Sequence, residues 1–421
     1  MKTKSRVIAG IELGSSKITT IIASAQTDLA DFSTTLNVVG VSTAESRGIR
    51  KGQIVDLEEA IEATISSVEG AERMAGYNLA SAYVSLGGAH IMSQNTRGVV
   101  AVSNPNEEIS KEDVERVIDA ASAVSLPSSR QLIHVIPREY LVDGEEGVKD
   151  PIGMTGVRLE VETHLITASA AAVKNIEKVL NEVGISVDEF VYCGIAASEA
   201  ILTKTEKELG CVLVDIGGGT TSLAVFNEGS LIYSGVIPIG SKNVTNDLAI
   251  GLRVSLESSE KIKVMLSKSK PSKDKDSDQL NLTSFGVEEN KKISKKTLVE
   301  GIIRPRLNEI FTMVKNQLEK EKLMSKIPSG IVVTGGGANV IGLEESARRM
   351  LQYPVRLGIP EGMNGLIDDV ANPSFATPVG LILYGQKKTP KDSGTSFVKK
   401  FKLPTKGIAS KIITTLKDLL P

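Results

Sequence analysis

Two glycine turns built on one plan constrain this chain more than any other feature. The first lies in Ala9-Gly10-Ile11-Glu12-Leu13-Gly14-Ser15-Ser16-Lys17-Ile18-Thr19-Thr20, the second in Val214-Asp215-Ile216-Gly217-Gly218-Gly219-Thr220-Thr221-Ser222-Leu223. Each is an apolar strand with an acidic residue, a turn of glycines and small hydroxyls, then a second apolar strand, a pattern that predicts a β-hairpin. Glycine reaches φ > 0 and lets successive N–H groups converge on one anion, while hydroxyls add donors without bulk. Gly14, Ser15, Ser16, Gly217, Gly218, Gly219, Thr220 and Thr221 therefore suit phosphate oxygens, with Lys17 as a point charge beside them. Glu12 and Asp215 would repel an anion, and make sense when a hard divalent cation, Mg with its waters, stands between them and the phosphates. A glycine hairpin alone is equally an ordinary tight turn; the matched pair favours a clamp on Mg-nucleotide.

A third cluster, Gly335-Gly336-Gly337-Ala338-Asn339, ends the buried-strand run Ile331-Val332-Val333-Thr334 and precedes a helical stretch from Leu343 to Leu351. In α/β sheets ligands sit at the carboxyl ends of strands, and bare backbone there admits a flat ring such as adenine. Asn246 to Ser267 has helical spacing and puts Glu260 and Lys263 on one face, as a solvated pair or as ligand contacts. Leu298 to Leu323 predicts a long amphipathic helix bearing Arg304, Arg306 and Glu309.

With 421 residues, 41% hydrophobic and 24% charged, the chain can bury two sizeable cores. A net charge of −2 argues against a global nucleic-acid footprint. Cys193 and Cys211 sit among apolar or small residues, so a reducing compartment without a disulfide framework is expected. His90, His134 and His164 have no ligand partners at metal spacing and are expected to be structural. No signal-peptide pattern and no apolar run of about 18 residues is present, so membrane contact is expected to be peripheral.

The chain after residue 385 suggests such contact. Residues 386–406 are polar, include Pro390, Gly394 and Pro404, and read as a flexible linker. In 407–421, at about 100° per residue, Ile408, Ile412, Ile413, Leu416, Leu419 and Leu420 share one sector of about 140°, with Lys411 and Lys417 outside it. A helix of about 20 Å is too short to span a bilayer. It either packs on the protein's own body or lies on an anionic membrane surface, and Lys399, Lys400, Lys402 and Lys406 favour the surface.

The order hairpin, hairpin, strand-Gly-Gly-Gly resembles the actin, sugar-kinase and DnaK-type chaperone superfamily, and two small-residue segments, Cys193 to Ala200 and Ala376 to Ile382, stand where its inter-domain helices belong. Outside those motifs, Ser46-Arg47-Gly48-Ile49-Arg50-Lys51-Gly52, His134-Val135-Ile136-Pro137-Arg138-Glu139-Tyr140 and Pro151-Ile152-Gly153-Met154-Thr155-Gly156-Val157 make the chain similar to the FtsA family of bacterial cell-division proteins, from about residue 6 to 385. The resemblance implies an α/β, actin-like two-lobed ATPase fold with inserted subdomains and a C-terminal amphipathic helix. Its parts are expected at 1–84 (lobe 1), 85–165 (an inserted subdomain of the 1C type), 166–196 (return to lobe 1), 197–245 (lobe 2), 246–327 (a helical subdomain), 328–385 (return to lobe 2), 386–406 (linker) and 407–421 (membrane-targeting helix).

The same resemblance implies ATP and Mg as ligands, with Glu260 and Lys263 reaching the adenosine. Hydrolysis is expected to be slow or conditional, Glu199 being the nearest carboxylate to orient a water. Arg304, Arg306 and Glu309 are implied to receive the C-terminal peptide of the tubulin-like protein FtsZ. The chain is implied to form filaments with itself, to be held by its last helix on anionic lipid at the cytoplasmic face of the membrane at mid-cell, and to recruit later division proteins; nucleic acid is not an expected partner. Two alternatives share the fold: a sugar-like kinase, which needs a catalytic Asp and no tail, and a PilM-like pilus-assembly protein, which normally lacks the tail.

Overall fold

The computed structural model describes residues 3–28, 33–103, 108–268, 279–285, 292–366 and 370–388. Two mixed sheets are wired alike. In the first, Thr3–Leu13, Lys17–Asp28 and Thr34–Glu45 form an antiparallel meander, and Ser81–Leu86 then Ser186–Tyr192 add in parallel on the open side of Thr3–Leu13. In the second, Cys211–Ile216, Thr221–Asn227 and Ser230–Ile237 form the meander, and Ile331–Thr334 then Val355–Leu357 add in parallel beside Cys211–Ile216. The repeated wiring places both glycine tips at the carboxyl end of a central strand, where open α/β sheets bind ligands. Cys211–Ile216 is almost wholly buried, which explains its unbroken apolar run rather than an alternating one.

Between Met92 and Ser169 the chain builds a separate antiparallel sheet, in the order Met92–Ala101, Arg158–Ser169, Arg130–Val142, Glu145–Val148. The helix Lys111–Ser122 covers it, capped by Ser110, whose hydroxyl accepts the Asp113 N–H. Ile109, Val117, Ala121, Tyr140, Val142, Leu159 and Val161 give this unit a small core of its own.

Two helices of small residues, Cys193–Ile201 and Ala376–Lys387, cross in direct contact. A Cβ at Gly380 would lie 1.8 Å from the Ala196 carbonyl oxygen, so this approach exists only because the residue is glycine.

Elsewhere the elements depart from their sequence pattern. The helical spacing of Asn246 to Ser267 is split between Lys242–Leu252 and Leu256–Lys268. Arg253 takes a left-handed φ of 58° there, and Ser255 restarts the helix by accepting the Ser258 N–H at 3.1 Å. The long helix is regular over Arg304–Lys320 and is entered through a wider turn at Val299–Ile303. The second crossing helix continues through Gln386 to Lys387, into the segment that reads as a linker. Most of that linker and the whole amphipathic segment 407–421 lie outside the described residues. Among the described residues, no helix is long and apolar enough to cross a membrane.

Candidate functional site

Each hairpin tip is closed by its own backbone: the Gly14 N–H donates to the Lys17 carbonyl at 3.1 Å, and the Gly217 N–H to the Thr220 carbonyl at 2.8 Å. The tips abut. A Cβ on Gly218 would stand 2.8 Å from Ser16 Cβ, and one on Gly219 2.9 Å from Ser15 Oγ. A cleft of about 780 Å³ opens beside them, lined by Glu12, Gly14, Ser15, Ser16, Lys17, Asp215, Gly217, Gly218, Thr220, Glu260, Lys263, Gly335, Gly336 and Asn339. That volume lies within the usual range for a small-molecule or cofactor site, about 300–1,000 Å³. Residues from four distant stretches of chain thus face one space.

Three expected residues do not line it. Gly219 is wedged against Ser15 and the Lys51 backbone, and Gly337 packs where a Cβ would collide with the Ile216 side chain at 2.4 Å. Thr221 is buried, its hydroxyl donating to the Ile239 carbonyl at 2.9 Å. All three shape the loops.

The acidic residues behave as a cation site would require. Burial, then the nearby Asp215 charge, raises the Glu12 carboxyl well above its ordinary range, with Lys17 opposing the rise. Burial pushes Asp215 up to about 6, against a stabilising hydrogen bond from Thr377 Oγ1 at 3.1 Å. Two carboxylates that desolvation disfavours are relieved by a divalent cation, and Mg²⁺ is held by one or two carboxylates with waters and phosphate oxygens completing its shell. Among the described residues no group of three or more His, Cys, Asp or Glu is placed to hold a metal ion, and this pair fits a cation shared with phosphates rather than an all-protein cage.

Lys17 rests away from the hairpin axis. Its Nζ lies 3.7 Å from the centroid of the Phe375 ring and donates to Ser374 Oγ at 3.3 Å, a cation–π seat at the foot of the second crossing helix. On the opposite wall Lys263 Nζ pairs with Glu260 at 2.7 Å and donates to Thr245 Oγ1 at 2.9 Å, while the Thr245 hydroxyl donates to Glu260 at 2.6 Å. Asn339 donates to Asn372 at 3.0 Å beside Gly336. Asn372, Ser374 and Phe375 were not legible as site residues, since they follow no motif of their own, and Thr377 was legible only as part of a small-residue helix.

Glu199 stands elsewhere, a correction to its expected role. Cys193, at the start of its helix, lines the cleft, and six residues further on the helix has advanced about 9 Å. There Lys207, at 3.3 Å, and Lys387 take the two oxygens of Glu199. Arg306 grips Asp247 through two bonds of 2.6 and 2.8 Å and pairs with Glu309, and Arg304 pairs with Glu300 and Glu345. These three sit on one helix away from the cleft. The histidines are built into the scaffold: His134 Nε2 accepts the Tyr192 N–H, His90 Nδ1 accepts the Ser169 N–H, and His164 lies between Asn95 and Ser234, its pKa lowered to about 3 by burial.

Comparison with known proteins follows the same lines. The family model described as "SHS2 domain inserted in FTSA" matches residues 88–167, and that described as "Cell division protein FtsA" matches 212–380. The chain is 38% identical to the cell division protein FtsA of Pseudomonas aeruginosa, over 91% of this chain and 90% of that one. It is 40% identical to the FtsA of Borreliella burgdorferi, over 90% of each chain. Among solved structures, the PilM-PilN type IV pilus biogenesis complex covers 90% of this chain and 99% of its own at a TM-score of 0.63 and 16% identity. MreB5 of Spiroplasma citri, solved bound to ADP, covers 90% of this chain and 96% of its own at a TM-score of 0.51 and 13% identity. These two share the actin-like fold.

Proposed function

The chain belongs to the FtsA family of bacterial cell-division proteins, and from that premise we propose that it binds MgATP in the cleft between its paired hairpins, polymerises, and ties FtsZ filaments to the cytoplasmic face of the membrane. The observation that carries the nucleotide reading is the convergence of both glycine tips, Lys17 and the Glu12–Asp215 pair on one cleft. Ser15, Ser16, Gly217, Gly218 and Thr220 would hold the phosphates, and Glu12 and Asp215 a hydrated Mg²⁺, which supplies charge neutralisation at the phosphates. Gly335, Gly336 and Asn339 would face the base, with Glu260 and Lys263 on the ribose side. Glu199, held by Lys207 and Lys387, does not line the cleft, which favours slow or conditional hydrolysis. The relatives at 35–40% identity carry the cell-division name rather than a kinase's.

The remaining assignments rest on the family. Arg304, Arg306 and Glu309 would meet the C-terminal peptide of FtsZ, and residues 407–421 would lie on anionic lipid, each copy binding weakly and a filament binding by avidity. Later division proteins would then assemble on the tethered filament at mid-cell. Co-sedimentation with anionic liposomes tests this, comparing the full chain with a version ending at Lys388, which keeps the Lys387–Glu199 pair. Recruitment of FtsZ by the full chain alone, strengthened by MgATP, is the expected result; equal behaviour of the two versions would contradict it.

A further inference from the structure

The turn that enters the helix Lys242–Leu252 holds both phosphate loops at once. The Ser241 N–H donates to the Gly217 carbonyl at 2.9 Å and the Lys242 N–H to the Gly218 carbonyl at 2.8 Å. From the same residue, Lys242 Nζ crosses to the other lobe and donates to the Ser15 carbonyl at 2.7 Å. Behind that loop, Ser15 Oγ accepts the Gly52 N–H at 3.0 Å, and the Ser16 carbonyl accepts the Ser46 N–H at 3.1 Å. A carbonyl gripped by an ammonium at 2.7 Å is a strong, charge-assisted bond.

Peptide planarity turns these grips into aim. In a trans peptide the C=O of one residue and the N–H of the next point in opposite directions. Anchoring the carbonyls of Ser15 and Ser16 therefore fixes the direction of the N–H groups of Ser16 and Lys17, and anchoring Gly217 and Gly218 does the same for the N–H groups of Gly218 and Gly219. We propose that Lys242 is a cross-lobe positioning residue for the nucleotide, a latch that fixes the donors of the first phosphate loop and ties that loop to the second. It does not itself line the cleft, while its neighbour Ser241 does. Half-burial lowers its ammonium pKa, with the charges of Glu45 and Glu260 opposing the fall. The latch deepens the proposed ATP reading and rests on it.

The two are separable by experiment. Dissociation of a fluorescent ATP analogue with Mg²⁺ is measured by stopped flow for the wild-type full chain, Lys242→Met and Lys242→Gln, with amide hydrogen exchange of peptides covering 10–20 and 331–334. Lys242→Met removes the donor and is expected to raise the off-rate about tenfold, the scale of one lost bond to a charged group. Lys242→Gln keeps a neutral donor and should fall between the two. Exchange in the variants should quicken in 10–20 and stay unchanged in 331–334, a local change that a general loss of stability would not produce. If Lys242→Met fails to fold, Lys242→Gln carries the test. Off-rates within twofold of wild type in a folded variant, or loosening of both peptides alike, overturn the latch; absence of binding by the wild type overturns the nucleotide reading instead.

Discussion

Replacing Gly380 by alanine tests the crossing of the two small-residue helices. The added Cβ would stand 1.8 Å from the Ala196 carbonyl oxygen, 2.3 Å from its carbon and 3.0 Å from the Ala197 nitrogen. All three are backbone atoms in the middle of a helix, so no side chain can rotate out of the way. A relaxed carbon–oxygen contact is about 3.3 Å, so the helices must part by about 1.5 Å. Overpacking costs up to about 3 kcal/mol when it forces backbone to shift. Alanine's better helix propensity offsets about 1 kcal/mol of that. The net expectation is a loss of about 2 kcal/mol, read as a fall in the urea midpoint followed by circular dichroism. Gly301→Ala is the matched control: no atom lies within 4 Å of its added Cβ and its φ is not positive, so it should be neutral or stabilise by up to about 1 kcal/mol. A Gly380→Ala midpoint equal to wild type would refute the claim that backbone contact sets this crossing.

Further outcomes follow from the charges in the cleft. Asp215 has a raised folded pKa, so the folded chain binds more protons than the unfolded one between about pH 4 and 6; its contribution to stability is greatest below that window and declines as pH rises through it. Asp215→Asn should therefore stabilise the nucleotide-free protein at pH 7.5, by about 1–3 kcal/mol in denaturant titration, while weakening MgATP binding; a loss on both counts would contradict the cation reading. Gly218→Val, whose side chain would enter the space of Ser16, should lower nucleotide affinity at least tenfold in a calorimetric titration with MgATP. Arg306→Ala should weaken binding of the FtsZ C-terminal peptide about fivefold or more by fluorescence anisotropy, and it also leaves Asp247 without its bidentate partner.

The chemistry-bearing turns were legible because their signal is local. An acidic residue, glycines and hydroxyls between two apolar runs specify a hairpin wherever they occur, and both hairpins formed with Leu13 facing Ile18 and Ile216 facing Thr221. The strand before Gly335 was legible for the same reason. What escaped were residues whose role depends on distant partners. Lys242 meets Ser15 across two lobes, and no local motif announces it. Phe375 and Ser374 hold Lys17 from the far end of the chain without any motif. Gly219 and Gly337 look like ligand contacts in sequence, yet their Cα positions are packed tightly against Ser15 and Ile216. Arg253 breaks a helical pattern by taking a left-handed backbone that its residue type does not advertise. Glu199 was misplaced because distance along a helix separates residues that are close in sequence.

The most direct test of the central claim is calorimetric titration of the full chain with ATP, once with Mg²⁺ and once with excess EDTA. The geometry predicts one site per chain whose affinity falls at least tenfold when the cation is removed, because Glu12 and Asp215 then face the phosphates unscreened. Absence of a site, or an affinity indifferent to Mg²⁺, would contradict it.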